Sequence, residues 1–130
     1  MKFIEVVVDV IGLSRRVNEE DRALHEQFGL GDGISLGDPK TWDYMQAPRP
    51  AVEALEAYLE GLSDSEVARI QTLMYAGRDN DADFKGLHKH LRCDKEDAIQ
   101  TISEKAPLGD YLADGLALAQ KNFVDLDADW

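Results

Sequence analysis

The chain has 130 residues, with 26 acidic and 14 basic side chains and a net charge of -12. Its length predicts one domain, residues 1–130, and its 44% hydrophobic content indicates a folded core. DNA, RNA and anionic membranes are bound through Lys and Arg, so this charge excludes direct binding to them. With one cysteine, no disulfide pair and no apolar run near ~20 residues, we expect a cytoplasmic protein.

The amino-terminal segment, residues 1–28, is compatible with two structures. Val6, Val8 and Val10 alternate with other residues as in a half-buried strand, whereas Ile4 and Val8 also recur at helical spacing. We expect a largely buried helix, because no other segment resembles a partner strand. If the segment were a strand, it would be expected to pair with its counterpart in a homodimer.

A loop is predicted over residues 29–50, where Gly and Pro are concentrated. Loops longer than about 12 to 15 residues are commonly functional or disordered. This one carries Trp42 and Tyr44, which a solvated linker would not need, so both are candidate partner-binding residues. The glycines at 29, 31 and 33 lack the spacing of a phosphate-binding fingerprint and are interpreted as a flexible loop.

The second half of the chain has the pattern of consecutive helices. Pro50 suits a first helical position, Ser63 and Glu66 form a capping-box signature, Gly77 is placed to end the second of these helices, and Asp94 can begin a later one. We therefore predict an all-α bundle or array of about five to six helices. The apolar stripes are Val52, Leu55, Tyr58, Leu59 and Leu62; Val67, Ile70, Leu73 and Met74; Phe84, Leu87 and Leu91; Ala98, Ile99 and Ile102; and Leu108, Leu112, Leu116 and Ala119.

Three strings in this half carry a resemblance to a known family. They are Leu-Ser-Asp-Ser-Glu at 62–66, Leu-Met-Tyr-Ala-Gly-Arg-Asp at 73–79 and Pro-Leu-Gly-Asp-Tyr-Leu-Ala-Asp-Gly-Leu at 107–116. Mainly over residues 50–118, the chain resembles a family of small bacterial proteins known only as a domain of unknown function. The resemblance implies a helical fold and brings no catalytic residues. Between the motifs this chain departs from the more regular family pattern.

The segment with His88, His90 and Cys93 contains the side chains that zinc prefers. His90 and Cys93, three residues apart, share a helix face, but His88 points about 200° away from His90. The three ligands therefore do not converge on a regular helix. We expect no metal and no cofactor, and these residues stay weak metal candidates.

Alternating aspartates at 79, 81 and 83 imitate the start of a calcium-binding loop. The sixth position of that loop requires Gly and is Phe84, and the twelfth requires Glu and is His90. The run is therefore interpreted as a helix start or a solvated turn.

An acidic stripe is predicted on the helix that follows Pro50. Glu53, Glu56 and Glu60 fall at i, i+3 and i+7, opposite the apolar face, and Asp64 extends the row. Like charges at this spacing destabilise a helix slightly, so the stripe is either its solvated face or a surface kept for binding.

The acidic tail, residues 122–130, ends in Trp130. This side chain either folds back as an anchor or is offered to a partner, and we include it among the candidate partner-binding residues.

Three functions are compatible with these observations. The first is a non-enzymatic interaction protein, such as a phage-type anti-defence inhibitor, whose acidic surface mimics nucleic acid and covers a basic surface of a partner. The second is a small metal-dependent hydrolase that uses the segment from His88 to Cys93. The third is a structural module that self-associates through its Val-rich amino terminus. The absence of a catalytic motif favours the first.

Overall fold

The computed structural model describes residues 2–30, 37–91 and 94–128, and within these ranges it contains seven α-helices and no strand. The predicted all-α class is confirmed. Six of the helices correspond to predicted ones, and the short α2 is additional. The helices are α1 (Phe3–Gln27), α2 (Pro39–Gln46), α3 (Pro50–Glu60), α4 (Asp64–Asp79), α5 (Phe84–His90), α6 (Lys95–Ser103) and α7 (Leu108–Lys121).

The Val-rich amino terminus is a helix, as expected, and the strand alternative is wrong. Val6, Val7, Val10 and Ile11 are buried together, which is the spacing of one helix face, while Val8 is exposed. Helix α1 packs on α3 and α7, so the face that carries these four buried residues is covered within one chain.

Helix α2 lies inside the segment predicted to be a loop, so that prediction is wrong over residues 39–46. Pro39 occupies the first helical position, and the Asp38 carboxylate accepts a hydrogen bond from the Lys40 backbone N–H. These are ordinary start signals of a helix, but the surrounding glycines and prolines mask them in the composition.

The centre of the fold is the crossing of α4 and α7. The prediction that Gly77 ends α4 is wrong, because the helix continues to Asp79 and Asn80 adopts the left-handed conformation with φ 52°. A Cβ on Gly77 would lie 1.8 Å from the Tyr111 carbonyl oxygen, and one on Gly115 would lie 2.4 Å from the Leu73 carbonyl oxygen. The two glycines therefore allow the backbones of α4 and α7 to touch.

The predicted apolar stripes form the core around this crossing. Ile70 and Leu73 of α4 and Leu112 of α7 are fully buried. The capping box at the start of α4 is present, since the Ser63 hydroxyl accepts from the Glu66 N–H and the Glu66 carboxylate accepts from the Ser63 N–H. The remaining core residues from predicted stripes are Leu55, Leu59, Val67, Met74, Phe84, Ala98, Ile99, Ile102, Leu108 and Ala119.

The described part of the tail returns to the amino terminus. The Asp127 carboxylate accepts a hydrogen bond from the Phe3 backbone N–H at 3.0 Å, and Arg69 donates to the Leu126 carbonyl oxygen at 3.2 Å. A carboxylate at the start of α1 is favourable because the amino end of a helix carries partial positive charge. Trp130 lies outside the described residues, so its predicted role stays a prediction.

Candidate functional site

The acidic stripe lies on the solvent side of α3. Leu55 and Leu59 point into the core, and Glu53, Glu56 and Glu60 are exposed on the opposite side. Asp64, the first residue of α4, is also exposed. The structure therefore presents all four predicted carboxylates to solvent. Within the described ranges, none of them is part of an ion pair.

A shallow groove of about 410 Å³ runs beside this stripe, between α3 and α6. Glu56 and Glu60 line one wall, and Glu96 and Ile99 contribute to the other. The groove is open to solvent, so its carboxylates stay hydrated and can meet a partner without first being uncovered.

Lys95 is the basic side chain in this groove, and its ammonium group is hydrogen-bonded to backbone carbonyls at the end of α3. Its Nζ donates to the carbonyl oxygens of Glu60 at 2.8 Å and Leu62 at 2.6 Å. These carbonyls lie at the negative end of α3, where an ammonium group is favourable. Lys95 thus stabilises the end of α3 instead of pairing with the carboxylates that line the groove.

The two candidate aromatic residues of α2 have opposite surroundings. Trp42 is 56% exposed, and Met45, three residues later, is equally exposed. Tyr44 is only 8% exposed, as is expected for the inner face of α2, where Thr41 is also buried. Trp42 therefore remains a candidate contact residue, whereas Tyr44 is turned into the fold and offers little surface to a partner.

Tyr44 instead belongs to a polar cluster that sequence reasoning did not find. Its hydroxyl donates to the Asp21 carboxylate, which also accepts from the Arg49 guanidinium at 2.9 Å. Arg49 stacks over the Tyr44 ring, with 4.6 Å between the guanidinium carbon and the ring centroid. The His25 ring meets the same tyrosine edge-on at 4.5 Å, and its Nε2 lies 3.6 Å from Asp21 Oδ2. The cluster ties α2 to α1.

The electrostatics of this cluster favour an ionised Asp21 paired with Arg49. Partial burial opposes ionisation of Asp21, but hydrogen bonds from Tyr44 and Arg49 outweigh it and lower the Asp21 pKa. Burial and the hydrogen bond to Asp21 raise the Tyr44 pKa, so the phenol stays protonated. The cluster contains no activated nucleophile, and its arrangement is that of a structural tether.

A second carboxylate of α1 supports the beginning of α3. The Glu20 Oε2 atom accepts a hydrogen bond from the Ala51 backbone N–H at 2.9 Å, in place of a side-chain cap from Arg49. The other oxygen, Glu20 Oε1, is buried, and so is the Thr41 hydroxyl. Neither atom has a protein hydrogen-bond partner in the described part of the chain.

The histidines proposed as metal candidates have separate surroundings. His88 is partly buried, with Nδ1 3.2 Å from the Thr72 hydroxyl, and His90 is exposed. Burial and the neighbouring charge of Arg69 lower the His88 pKa, which favours the neutral ring. Cys93 lies outside the described residues. Among the residues described, no three His, Cys, Asp or Glu side chains converge as metal ligands.

The aspartates at 79, 81 and 83 each bind a neighbouring group of the chain. Asp79 pairs with Arg78, Asp81 accepts from the Asp83 N–H at 2.9 Å, and Asp83 accepts from the Gly86 N–H at the start of α5. This is the arrangement of a turn followed by a helix cap. Gly29 has a positive φ of 64° in the turn that follows α1, and Gly31 and Gly33 fall outside the described residues.

Comparison with known proteins adds no assignment: no family model, no curated protein and no solved structure matches the chain. The resemblance of residues 50–118 to an uncharacterised bacterial family stays a prediction. In the described part of the chain, the helices are all too short or too polar to cross a membrane.

Proposed function

We propose that the protein is a non-enzymatic interaction protein that uses its acidic α3 face to cover a basic surface of a partner. The partner class would be a protein that binds nucleic acid through a basic groove, and the protein would act as an inhibitor of the phage anti-defence type. The observation that carries the proposal is the row formed by Glu53, Glu56, Glu60 and Asp64, exposed and outside any ion pair within the described ranges.

The spacing of the row suits a surface that normally holds phosphates. Glu53 and Glu60 are seven residues apart, which is about 10 Å along a helix axis. One strand of DNA carries about three phosphates over that length, which equals the number of carboxylates on α3. Glu96 at the edge of α6 adds a second line of negative charge across the groove.

The position of Glu60 supports a role other than folding. It lies in the last turn of α3, where the partial negative charge of the helix end disfavours a carboxylate. Its neighbour Glu56, four residues earlier, adds a like-charge repulsion of a few tenths of a kcal/mol. A helix selected only for stability would carry Lys or Arg at this end.

Trp42 supplies the apolar contact that an electrostatic surface alone lacks. Exposed tryptophans are frequent among the residues that dominate binding energy at interfaces. Only three residues separate α2 from α3, so Trp42 lies close to the acidic stripe in the sequence.

The test is recovery of a partner from a host lysate, followed by binding measurements from 0.1 M to 1 M salt. Over this range the Debye length falls from about 10 Å to about 3 Å, so a contact made by the stripe should weaken strongly. Replacing Glu53, Glu56 and Glu60 by Lys should abolish binding and leave the melting temperature unchanged or slightly higher.

The matched control reverses three exposed carboxylates elsewhere: Glu26→Lys, Asp110→Lys and Asp114→Lys. This variant has the same change in net charge, so it should retain most of the binding if the stripe is the contact surface. Equal loss in both variants would mean that only net charge matters. If the recovered partner is not basic, or the α3 variant binds it normally, the proposal is wrong.

A further inference from the structure

Helix α1 carries an outer face that the described part of the chain leaves about half exposed. Ile4 and Val8 are 46% and 56% exposed, although their neighbours on the inner face are buried. One turn beyond Val8, a Cβ on Gly12 would have no atom within 4 Å. An exposed valine beside an open glycine allows another helix backbone to approach closely.

Two residues of opposite charge lie along one edge of this face. Glu5 and Arg16 are eleven residues apart, which brings them within about 20° of each other around the axis. Both are exposed, and within the described ranges neither forms an ion pair. The Glu5 carboxylate accepts a long hydrogen bond from the Lys2 backbone N–H, at 3.3 Å.

We infer that α1 is a homodimerisation surface on which a second copy of the chain binds through its own α1, antiparallel to the first. If the twofold axis passes between residues 10 and 11, Glu5 of one copy is level with Arg16 of the second copy. The same pair then occurs twice, and Val8 and Gly12 lie on either side of the axis.

The charge pattern selects a second copy over another partner. A twofold contact brings the same patch of each copy together, so the patch must be complementary to itself. Glu5 and Arg16 meet this condition only in the antiparallel orientation, because a parallel arrangement would place like charges opposite each other. On the other flank, the aliphatic stem of Arg15 can cover Ile4 of the second copy.

The dimer is expected to be weak and reversible. A contact of one helix from each copy is small beside the standard interface of about 1,600 Å². In addition, two chains of net charge -12 repel each other at long range. Salt screens this repulsion and also the Glu5–Arg16 pairs, so the dimer should depend on salt much less than binding through the α3 stripe does, and the two contacts can fail independently.

The experiment is analytical ultracentrifugation of the full chain at concentrations from about 1 μM to 1 mM. Wild type should show a concentration-dependent dimer. Val8→Glu should raise the dissociation constant by about tenfold or more, because it places charges beside the twofold axis. Circular dichroism melts should show that this exposed substitution leaves the chain folded.

Two charge variants test the orientation. Arg16→Glu makes both flanking positions acidic, and Glu5→Arg makes both basic, so each variant alone should dimerise about tenfold more weakly than wild type. An equimolar mixture should restore dimerisation as a heterodimer, because each copy then faces the opposite charge. The mixed dimer has the same total charge as the wild-type dimer, which removes net charge as an explanation.

Three results would overturn the inference. Wild type could remain monomeric up to about 1 mM, a concentration at which even a millimolar dissociation constant produces a substantial dimer fraction. Val8→Glu could leave the dissociation constant unchanged. Finally, mixing the two charge variants could fail to restore association, which would exclude the antiparallel pairing of Glu5 with Arg16. If Glu5→Arg does not fold, Val8→Glu and Arg16→Glu still decide whether this face forms the dimer.

Discussion

The α4–α7 crossing and helix α2 are held in the fold by different physical means. At the crossing, two glycines bring the backbones into contact, and Leu73 and Leu112 are fully buried. Helix α2 buries only Thr41 and Tyr44, and it is tied to α1 through the carboxylate of Asp21. The crossing therefore depends on shape, and the attachment of α2 depends on a few hydrogen bonds.

This difference predicts a difference in stability within one small domain. Close packing responds sharply to added or removed volume. A partly exposed hydrogen-bond cluster can exchange its partners for water, so each of its bonds contributes only about 0.5 to 1.5 kcal/mol. We expect the crossing to unfold with the whole molecule and α2 to open locally before it.

The largest effect is expected from adding one methyl group at the crossing. Gly77→Ala or Gly115→Ala should lower the free energy of unfolding by about 3 kcal/mol or more, because the neighbouring backbone cannot move aside without separating the helices. Denaturant melts provide the measurement. The control is Gly12→Ala, which lies in α1 with open space around it and should gain up to about 1 kcal/mol in dilute solution. Equal behaviour of the three variants would remove the argument for close contact.

Removing volume from the same core should have the next largest effect. Ile70→Ala and Leu112→Ala should each lower the free energy of unfolding by about 2 to 5 kcal/mol, because both side chains are fully buried. Met45→Ala is the matched control on α2, and a change below about 0.5 kcal/mol is expected at this exposed position. A loss of that size at Ile70 or Leu112 would mean that the residue is not part of the core.

A smaller and local effect is expected from Tyr44→Phe. Loss of the hydroxyl removes the hydrogen bond to Asp21, at a cost of about 1 kcal/mol, and should speed amide hydrogen exchange in residues 39–46. Tyr58→Phe removes a similar Tyr–Asp bond from the Asp9 carboxylate, but on core helix α3. It should therefore leave exchange in α2 unchanged. The tether assignment is wrong if Tyr44→Phe protects α2 as well as wild type does.

The smallest effect is the pH dependence of the same tether. Because the Asp21 pKa is lower in the folded chain than its ordinary value of 3.8, the stabilisation is present above that value. It is lost as the pH falls through the lower folded pKa. Amide protection of α2 should decline in that acidic range, and Asp21→Asn should remove this dependence. An unchanged pH profile in Asp21→Asn would contradict the role of this carboxylate.

The sequence predicts the crossing far better than it predicts the attachment of α2. Leu73 and Leu112 belong to apolar stripes that repeat every helical turn, and such periodicity is local information. The role of Gly77 cannot be predicted in the same way, because close backbone contact depends on Gly115, a residue of another helix. Asp21 and Tyr44 are also far apart in the chain, and no spacing rule connects them. The acidic stripe could be found because all its members lie on neighbouring turns.

The hydrogen bond between Phe3 and Asp127 brings the two ends of the described part of the chain together. Joining residues 2 and 128 by a short Gly/Ser linker would bridge a gap that the fold already closes, so loop-closure entropy would be lost mainly by the unfolded chain. New termini at the exposed turn after Gly61 would then give a circular permutant with its helices in an altered order. Such a permutant would place α3 and α4 at opposite ends of the chain, and it would separate the acidic residues Glu60 and Asp64 in sequence while leaving them neighbours in space.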